Sequence, residues 1–354
     1  MLSRISDWVR NRISHKHKLI ITEEQKMRGS IPKLYIVIPC YNEEEILKQS
    51  LDILSDKLQR LLNEGKAADG SRVVCVDDGS KDKTWEIIAG YSAQNHSVLG
   101  IKFSRNYGHQ NAILAGMLES RAAADCVVTI DADLQQDVEA LDDFLAKYME
   151  GCDVVYGVRN DRDTDKAGKK LTAEAFYKLM KVLGADVLPN SADYRLLSAK
   201  ALNALADYPE SNLFLRGLIP TMGFKSDIVY FDVKDRTGGQ SKYTVSKMLN
   251  LALNGITSMS TRPLELIVVL GSMFCVLALV IFILSMIDWA RGVVVQGWTT
   301  TVALLCLIGG MNLLTNGLVG LYVGKAYIET KHRPRYIIDR AIWDGNGVLE
   351  SYDL

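Results

Sequence analysis

Between Lys33 and Arg159 short, mostly apolar runs alternate with longer stretches in which apolar residues recur at helical spacing. Residues 34–38, 73–76 and 101–103, the apolar run from Val127 that stops at Asp131, and residues 153–156 read as strands. Helices are predicted after the acidic residues 43–45, from near Thr84, and around 112–117. Strands alternating with helices imply a mostly parallel sheet covered on both faces, the α/β class. A polar cluster follows each strand: Tyr41–Glu45, Asp77–Ser80, Arg105–Gly108, Asp131–Gln135 and Arg159. In such a sheet these clusters converge on one crevice.

Beyond Arg159 the pattern loosens. Residues 160–172, rich in Asp and Lys, read as a mobile loop, followed by a helix around 173–183 and a region of Gly, Pro and β-rich pieces to Val233. Residues 235–243 carry two glycines with Arg236 and Lys242, a flexible basic loop able to close over an anion or a solvated connector. Residues 248–256 are apolar enough for a membrane interface. The runs 264–287 and 298–323 are each long enough to cross a bilayer. Asn312, Asn316, Gly320 and Gly324 recur every fourth residue, a helix-packing stripe compatible with a homo-oligomer, a dimer or tetramer. Lys325, Lys331, Arg333 and Arg335 follow, so the positive-inside bias puts the C-terminus and the α/β region in the cytosol. At the other end, Leu2, Ile5, Val9 and Ile13 lie at helical spacing among basic residues, either an amphipathic helix on an anionic membrane or a disordered basic tail.

Composition narrows the class further. The net charge of −1 supplies no field for nucleic acid, which is not expected as a partner. The six cysteines are scattered without a close pair, as in a reducing compartment, and no cleavable signal sequence is recognisable. No Gly-x-Gly-x-x-Gly follows any strand, against a dinucleotide dehydrogenase. Asp131 and Asp133 are two apart, so on extended chain both would point to one face and need a cation to offset their repulsion. Hard oxygen donors suit Mg²⁺ or Mn²⁺, which commonly also take oxygens from a substrate diphosphate; the bland alternative is a solvated acidic turn.

Five segments carry a resemblance: Ile-Val-Ile-Pro-Cys-Tyr-Asn-Glu-Glu (36–44), Val-Asp-Asp-Gly-Ser (76–80), Asp-Ala-Asp-Leu-Gln (131–135), Asp-Tyr-Arg-Leu (193–196) and Gly-Gln-Ser-Lys-Tyr (239–243). In this order they resemble family 2 glycosyltransferases, specifically the polyprenyl-phosphate group that includes dolichyl-phosphate mannose synthase and the two-span GtrB-type enzymes. The resemblance implies a GT-A fold, the nucleotide-diphospho-sugar transferase fold, and two C-terminal transmembrane helices. It implies transfer of a sugar from a nucleotide diphosphate sugar, with UDP the leaning, to a polyprenyl phosphate such as undecaprenyl phosphate. Such transfer would depend on a metal and invert the anomeric centre, giving a lipid-linked donor for cell-envelope glycosylation.

By the same resemblance Pro39, Tyr41, Glu43, Val76 and Asp78 would hold the nucleotide, and Asp131 and Ala132 the nucleotide sugar. Asp133 and Gln135 would bind Mg²⁺ or Mn²⁺ and Arg159 a phosphate; Asp193, Arg159 and Asp133 would carry catalysis, with Asp193 the catalytic carboxylate that orients the acceptor or takes its residual proton. Arg236 and Lys242 would meet the phosphates from the mobile loop. The family's usual basic pair appears as Lys169–Lys170, and Gln240 and Asn254 stand where acids are usual. The implied organisation is a basic N-terminal segment (1–30), a catalytic domain (31–243), an interfacial helix (244–262), two spans (263–324) and a cytosolic tail (325–354). The protein would be an integral protein of the cytoplasmic membrane with both termini cytosolic. A processive polysaccharide synthase would bring a Gln-x-x-Arg-Trp sequence and more spans, neither of which is present. A membrane-anchored nucleotide-sugar-binding scaffold is the non-enzymatic alternative.

Overall fold

The computed structural model describes residues 29–160, 188, 190–210, 213–233, 257, 260–291, 297–343 and 348–350. In chain order the elements begin β1 (Leu34–Cys40), α1 (Leu47–Asn63), β2 (Arg72–Asp77), α2 (Thr84–Gln94), β3 (Val98–Phe103), α3 (His109–Ser120) and β4 (Cys126–Thr129). There follow α4 (Leu141–Met149), β5 (Val154–Arg159), β6 (Ser191–Ser198), α5 (Ala199–Ala206), α6 (Leu215–Thr221) and β7 (Ser226–Phe231). Two long helices, α7 (Arg262–Ala290) and α8 (Trp298–Thr330), precede β8 (Ile338–Ile342) and β9 (Val348–Glu350).

All nine strands form one sheet in the order β7-β5-β6-β4-β1-β2-β3-β8-β9. Pairing is parallel from β4 through β1 and β2 to β3, and again between β5 and β7. Only β6 and β8 run against the others. The result is a GT-A-like α/β architecture with a mostly parallel, mixed sheet. Every residue of β1 is buried, as befits a central strand with both faces covered. Ile36 and Ile38 pack with Leu47, Leu51, Leu54 and Leu58 of α1, whose spacing is one helical stripe. Tyr35 and Val37 face the opposite layer, with Ala112, Ile113 and Met117 of α3. A Cβ on Gly116 would come within 2.3 Å of Val37 Cγ1, so glycine is what lets α3 lie this close to the sheet.

The antiparallel strand β6 is wedged between β4 and β5, so its first residues arrive at the edge where its neighbours end. Asp193 therefore reaches the crevice from the start of a strand, which the rule of carboxyl ends did not foresee. Residues 199–206 and 215–221 are helical within the region read as β-rich pieces. Their buried faces, Ala201, Leu202 and Leu205, then Leu215, Leu218 and Ile219, pack into the α3 layer.

At the C-terminal end only Leu307–Thr330, within α8, is long and apolar enough to cross a membrane among the described residues. The first expected span is helical, as α7 of 29 residues opening on Arg262 and Glu265, but among the described residues α8 alone supplies a candidate span by length and composition. After α8 the chain returns to the sheet as β8, antiparallel beside β3. Ser104 N–H donates to Ile337 O at 3.1 Å, and Arg335 Nη1 donates to Tyr208 O at 3.0 Å. The ring of Tyr336 stacks on Phe103, with centroids 5.1 Å apart. The end of the apolar helix is thus tied to the sheet edge that carries the polar clusters. Nearly all of the N-terminal segment, of the loop and helix expected over 160–183 and of the interfacial stretch, and the basic loop with Arg236 and Lys242, lie outside the described residues.

Candidate active site

The loops after β1 and β2 brace each other. Asn42, at φ 54°, accepts the Lys81 N–H on its Oδ1 and donates its own N–H to Ser80 Oγ, both at 2.9 Å. Glu43 N–H donates to Thr84 Oγ1 and Glu44 N–H to Asp82 Oδ2. Tyr41, at the start of this braced segment, remains exposed, while Pro39 and Val76 pair side by side inside the sheet. Asp78 is buried, and its two oxygens accept the N–H groups of Tyr107 at 2.6 Å and Gly108 at 2.9 Å. Burial pushes its carboxyl up, against the opposing pull of those two backbone bonds. Gly79, at φ 65°, permits the approach: a Cβ there would lie 2.3 Å from the Arg105 carbonyl carbon. Asp78 therefore fixes the turn that launches α3.

β4 stops at Thr129, and residues 131–134 form a turn closed by Leu134 N–H to Asp131 O at 3.2 Å, with Leu134 at φ 45°. The extended geometry expected for Asp131 and Asp133 is replaced by this turn. The Asp131 Oδ2 accepts a 2.5 Å bond from Gln136 Nε2, and its Oδ1 is buried without a hydrogen-bond partner. Burial pushes this carboxyl up. Ala132 is buried, and its carbonyl accepts the Ser50 hydroxyl of α1 at 2.6 Å. Asp133 Oδ1 accepts the Gln135 N–H at 3.2 Å.

Asp193 is the hub of the crevice. Arg216, in the first turn of α6, binds it at two points, and Arg195 Nη2 approaches Oδ1 at 2.5 Å. Gln110 Nε2 donates to Oδ2 at 3.3 Å, while Gln110 Oε1 accepts the Leu215 N–H. The Nε2 of His109, the first residue of α3, lies 3.6 Å from Asp193 Oδ2 and 3.6 Å from Asp131 Oδ1. Burial raises the Asp193 carboxyl, but His109 and the two guanidinium groups outweigh it and hold the group well below its ordinary value. His109 answers in the opposite sense: burial pulls it down, yet Asp193 and Asp131 leave it raised.

The structure thus brings Asp131, Asp133, Gln135 and Asp193 to one edge, with Asp78 beneath the neighbouring turn. Arg159 ends β5 at the same edge, exposed, its N–H donating to Asn190 O at 3.3 Å. Arg236 and Lys242 lie outside the described residues. Sequence reasoning missed His109, Gln136 and Arg216. His109 directly follows the polar cluster after β3 and Gln136 the one after β4, so both were readable by extending those clusters one residue. Nothing local marks Arg216, which depends on how α6 folds back.

Among the described residues no group of three or more His, Cys, Asp or Glu side chains is arranged to hold a metal. One carboxylate with one amide oxygen, Asp133 and Gln135, is nonetheless a donor set that suits Mg²⁺ or Mn²⁺. These ions commonly rest on one or two protein carboxylates, with substrate phosphates and water completing the shell.

Residues 35–206 match the family model described as Glycosyl transferase family 2. The chain is 44% identical over 313 residues to the uncharacterized glycosyltransferase YkoT of Bacillus subtilis, spanning 88% of this chain and 93% of that protein. It is 35% identical over 308 residues to the bactoprenol glucosyl transferase of Shigella phage SfV, spanning 86% and 98%. Among solved structures, glucosyl-3-phosphoglycerate synthase from Mycobacterium tuberculosis aligns with a TM-score of 0.40 at 16% identity, over 66% of this chain and 80% of that one.

Proposed function

Because the chain belongs to glycosyl transferase family 2, we propose that it transfers a sugar from a nucleotide diphosphate sugar to a polyprenyl phosphate held in a membrane. The observation that carries this reading is the junction of the apolar helix with the site. The stretch Leu307–Thr330 runs into a segment bonded to the β3 end of the sheet through Ser104 and Ile337. A lipid phosphate cannot leave the bilayer interface, so a sheet edge fastened to the end of a membrane helix brings the crevice to it. In this reading α7 and α8 are both spans, and the sheet lies on the cytosolic side with the termini.

The acceptor is a phosphate monoester, whose second ionisation is near pH ~6, so it is largely dianionic at neutral pH. Its oxygen attacks the anomeric carbon as the bond to the nucleotide diphosphate breaks, with inversion and without a strong base. Asp193, held ionised by its clamps, anchors the crevice instead of receiving a proton. Asp131 and Ala132 meet the sugar. Pro39, Tyr41, Glu43, Val76 and Asp78 line or support the nucleotide site, and Arg159, Arg236 and Lys242 meet phosphates. Asp133 and Gln135 hold Mg²⁺ or Mn²⁺, which when bound neutralises the departing diphosphate. UDP is the favoured nucleotide.

The test incubates the full-length protein in detergent with undecaprenyl phosphate, Mn²⁺ or Mg²⁺ and a panel of nucleotide sugars, following nucleotide diphosphate release and the glycosylated lipid. Lipid-dependent release with one donor is the expected result. Donor binding with no lipid product would refute the reading.

A further inference from the structure

We propose that His109 is a positioning residue for the donor sugar, bridging the clamped carboxylate of Asp193 to Asp131 and fixing Asp131 in its sugar-binding orientation. This rests on the reading above that Asp131 meets the nucleotide sugar. Two carboxylates, Asp131 in the turn after β4 and Asp193 on β6, sit within 3.6 Å of one imidazole nitrogen. Unshielded, they would repel each other and Asp131 would turn away; a cation between them removes that repulsion. Asp193 cannot yield, because Arg216, Arg195 and Gln110 hold it. Asp131 is fixed on its far side by Gln136. Its Oδ1 has no hydrogen-bond partner, and among the described residues His109 is the basic side chain that comes within ion-pair distance of it, at 3.6 Å.

The ring itself is well placed for this task. His109 follows Gly108, at φ 95°, whose N–H is bound by buried Asp78 and whose carbonyl accepts the N–H groups of Asn111 and Ala112. The charged groups around it are Asp78 after β2, Asp131 after β4, Asp193 and Arg195 on β6, and Arg216 on α6. Both arginines are already paired to Asp193, and His109 stays raised despite Arg216. The side chain is nevertheless about half exposed, at 47%, as expected of a group bordering a ligand rather than one filling a core. A purely structural histidine would serve folding alone; this one spans two carboxylates at the mouth of the crevice.

The test is a double-mutant cycle on full-length protein in detergent, comparing wild type, His109→Gln, His109→Lys, Asp131→Asn and His109→Gln/Asp131→Asn. Donor and acceptor KM are measured with undecaprenyl phosphate, and nucleotide-sugar affinity by calorimetry without lipid. We expect His109→Gln to weaken donor binding about tenfold with acceptor KM unchanged, and to have no further effect once Asp131 is neutral. His109→Lys, which keeps the cation, should recover most of the loss. Equal loss in donor and acceptor terms, or additive effects of His109→Gln and Asp131→Asn, would overturn the proposal. Should His109→Gln melt markedly below wild type, folded His109→Lys decides: near-native donor affinity supports the bridge, and a full loss overturns it. Absence of lipid-dependent turnover in wild type would sink the proposed reaction, while the calorimetric cycle with nucleotide sugar would still judge His109.

Discussion

Arg216 grips Asp193 at two points, Nε to Oδ1 at 3.2 Å and Nη2 to Oδ2 at 3.0 Å, joining α6 to the start of β6. With Arg195 and His109 the carboxylate serves three basic side chains while nearly fully buried. Removing a charge from such a centre leaves its partners uncompensated, which costs about 3–5 kcal/mol in buried pairs. Asp193→Asn should therefore lower the melting temperature and abolish transfer together. Arg216→Gln exposes a smaller deficit, because Arg216 is one-third exposed, and should cost about 1 kcal/mol. Thermal melts of the two variants in the same detergent check the ordering; equal destabilisation would show that Asp193 is not the hub.

The same cluster sets a pH window for stability. Asp193 has a depressed folded value, so its contribution is complete above an ordinary aspartate value of about 4 and is lost as pH falls through the folded value. His109 is raised, so its contribution is complete below about 6.5 and is lost as pH rises through its folded value. Melting temperature should be highest between these limits and decline on the alkaline side. His109→Gln should flatten that alkaline decline and also weaken the acid limb, because His109 is one of the groups that hold Asp193 down. A decline unchanged in His109→Gln would assign it to another group.

The β1 to β5 order was legible in the sequence because each strand is a mostly apolar run followed by polar residues, even where Lys102 interrupts β3. Burial on both faces writes itself directly into composition. The crevice was legible for the same reason, since those polar ends must converge. Two things were not. Direction within the sheet is set by long-range pairing, so nothing in residues 191–198 announces that β6 runs backwards and delivers Asp193 by its beginning. The turn at Asp131–Leu134 was masked because Asp-Ala-Asp is equally compatible with extended chain; Leu134 at φ 45° is a backbone choice that its side chain does not advertise. Arg216 was invisible because α6 is short and its only link to the site is tertiary.

Asp133→Ala tests the proposed metal donors separately from the fold. Asp133 lies in a surface turn, bonded to the Gln135 N–H, so its loss should change stability by no more than about 1 kcal/mol. Turnover should fall by about 10² or more, the scale of removing one charge-stabilising group. Calorimetry should show that nucleotide binding no longer responds to Mn²⁺, while membrane extraction and melting stay as in wild type. Retained metal dependence would move the ion to other donors.

Tyr336 tests whether the apolar helix α8 and the crevice are mechanically joined. Its ring stacks on Phe103 at 5.1 Å and 14°, its hydroxyl bonds Glu119 Oε1 at 3.2 Å, and the adjacent Arg335 holds Tyr208 O. Phe103 ends β3, immediately before the turn that leads to His109, so this contact spans from the end of α8 to the crevice. Tyr336→Ala removes a half-buried aromatic and should cost about 2 kcal/mol, below the range for fully buried rings. General destabilisation would reduce turnover with every acceptor alike. Loss of registration would not: a long-chain polyprenyl phosphate in a bilayer requires the crevice at headgroup height, whereas a short-chain prenyl phosphate in solution can diffuse to it. Tyr336→Ala, alone and with Arg335→Ala, should therefore reduce kcat/KM about tenfold more for the bilayer acceptor than for the soluble one. Equal losses for the two acceptors would make β8 a stabilising strand with no part in holding the site to the membrane.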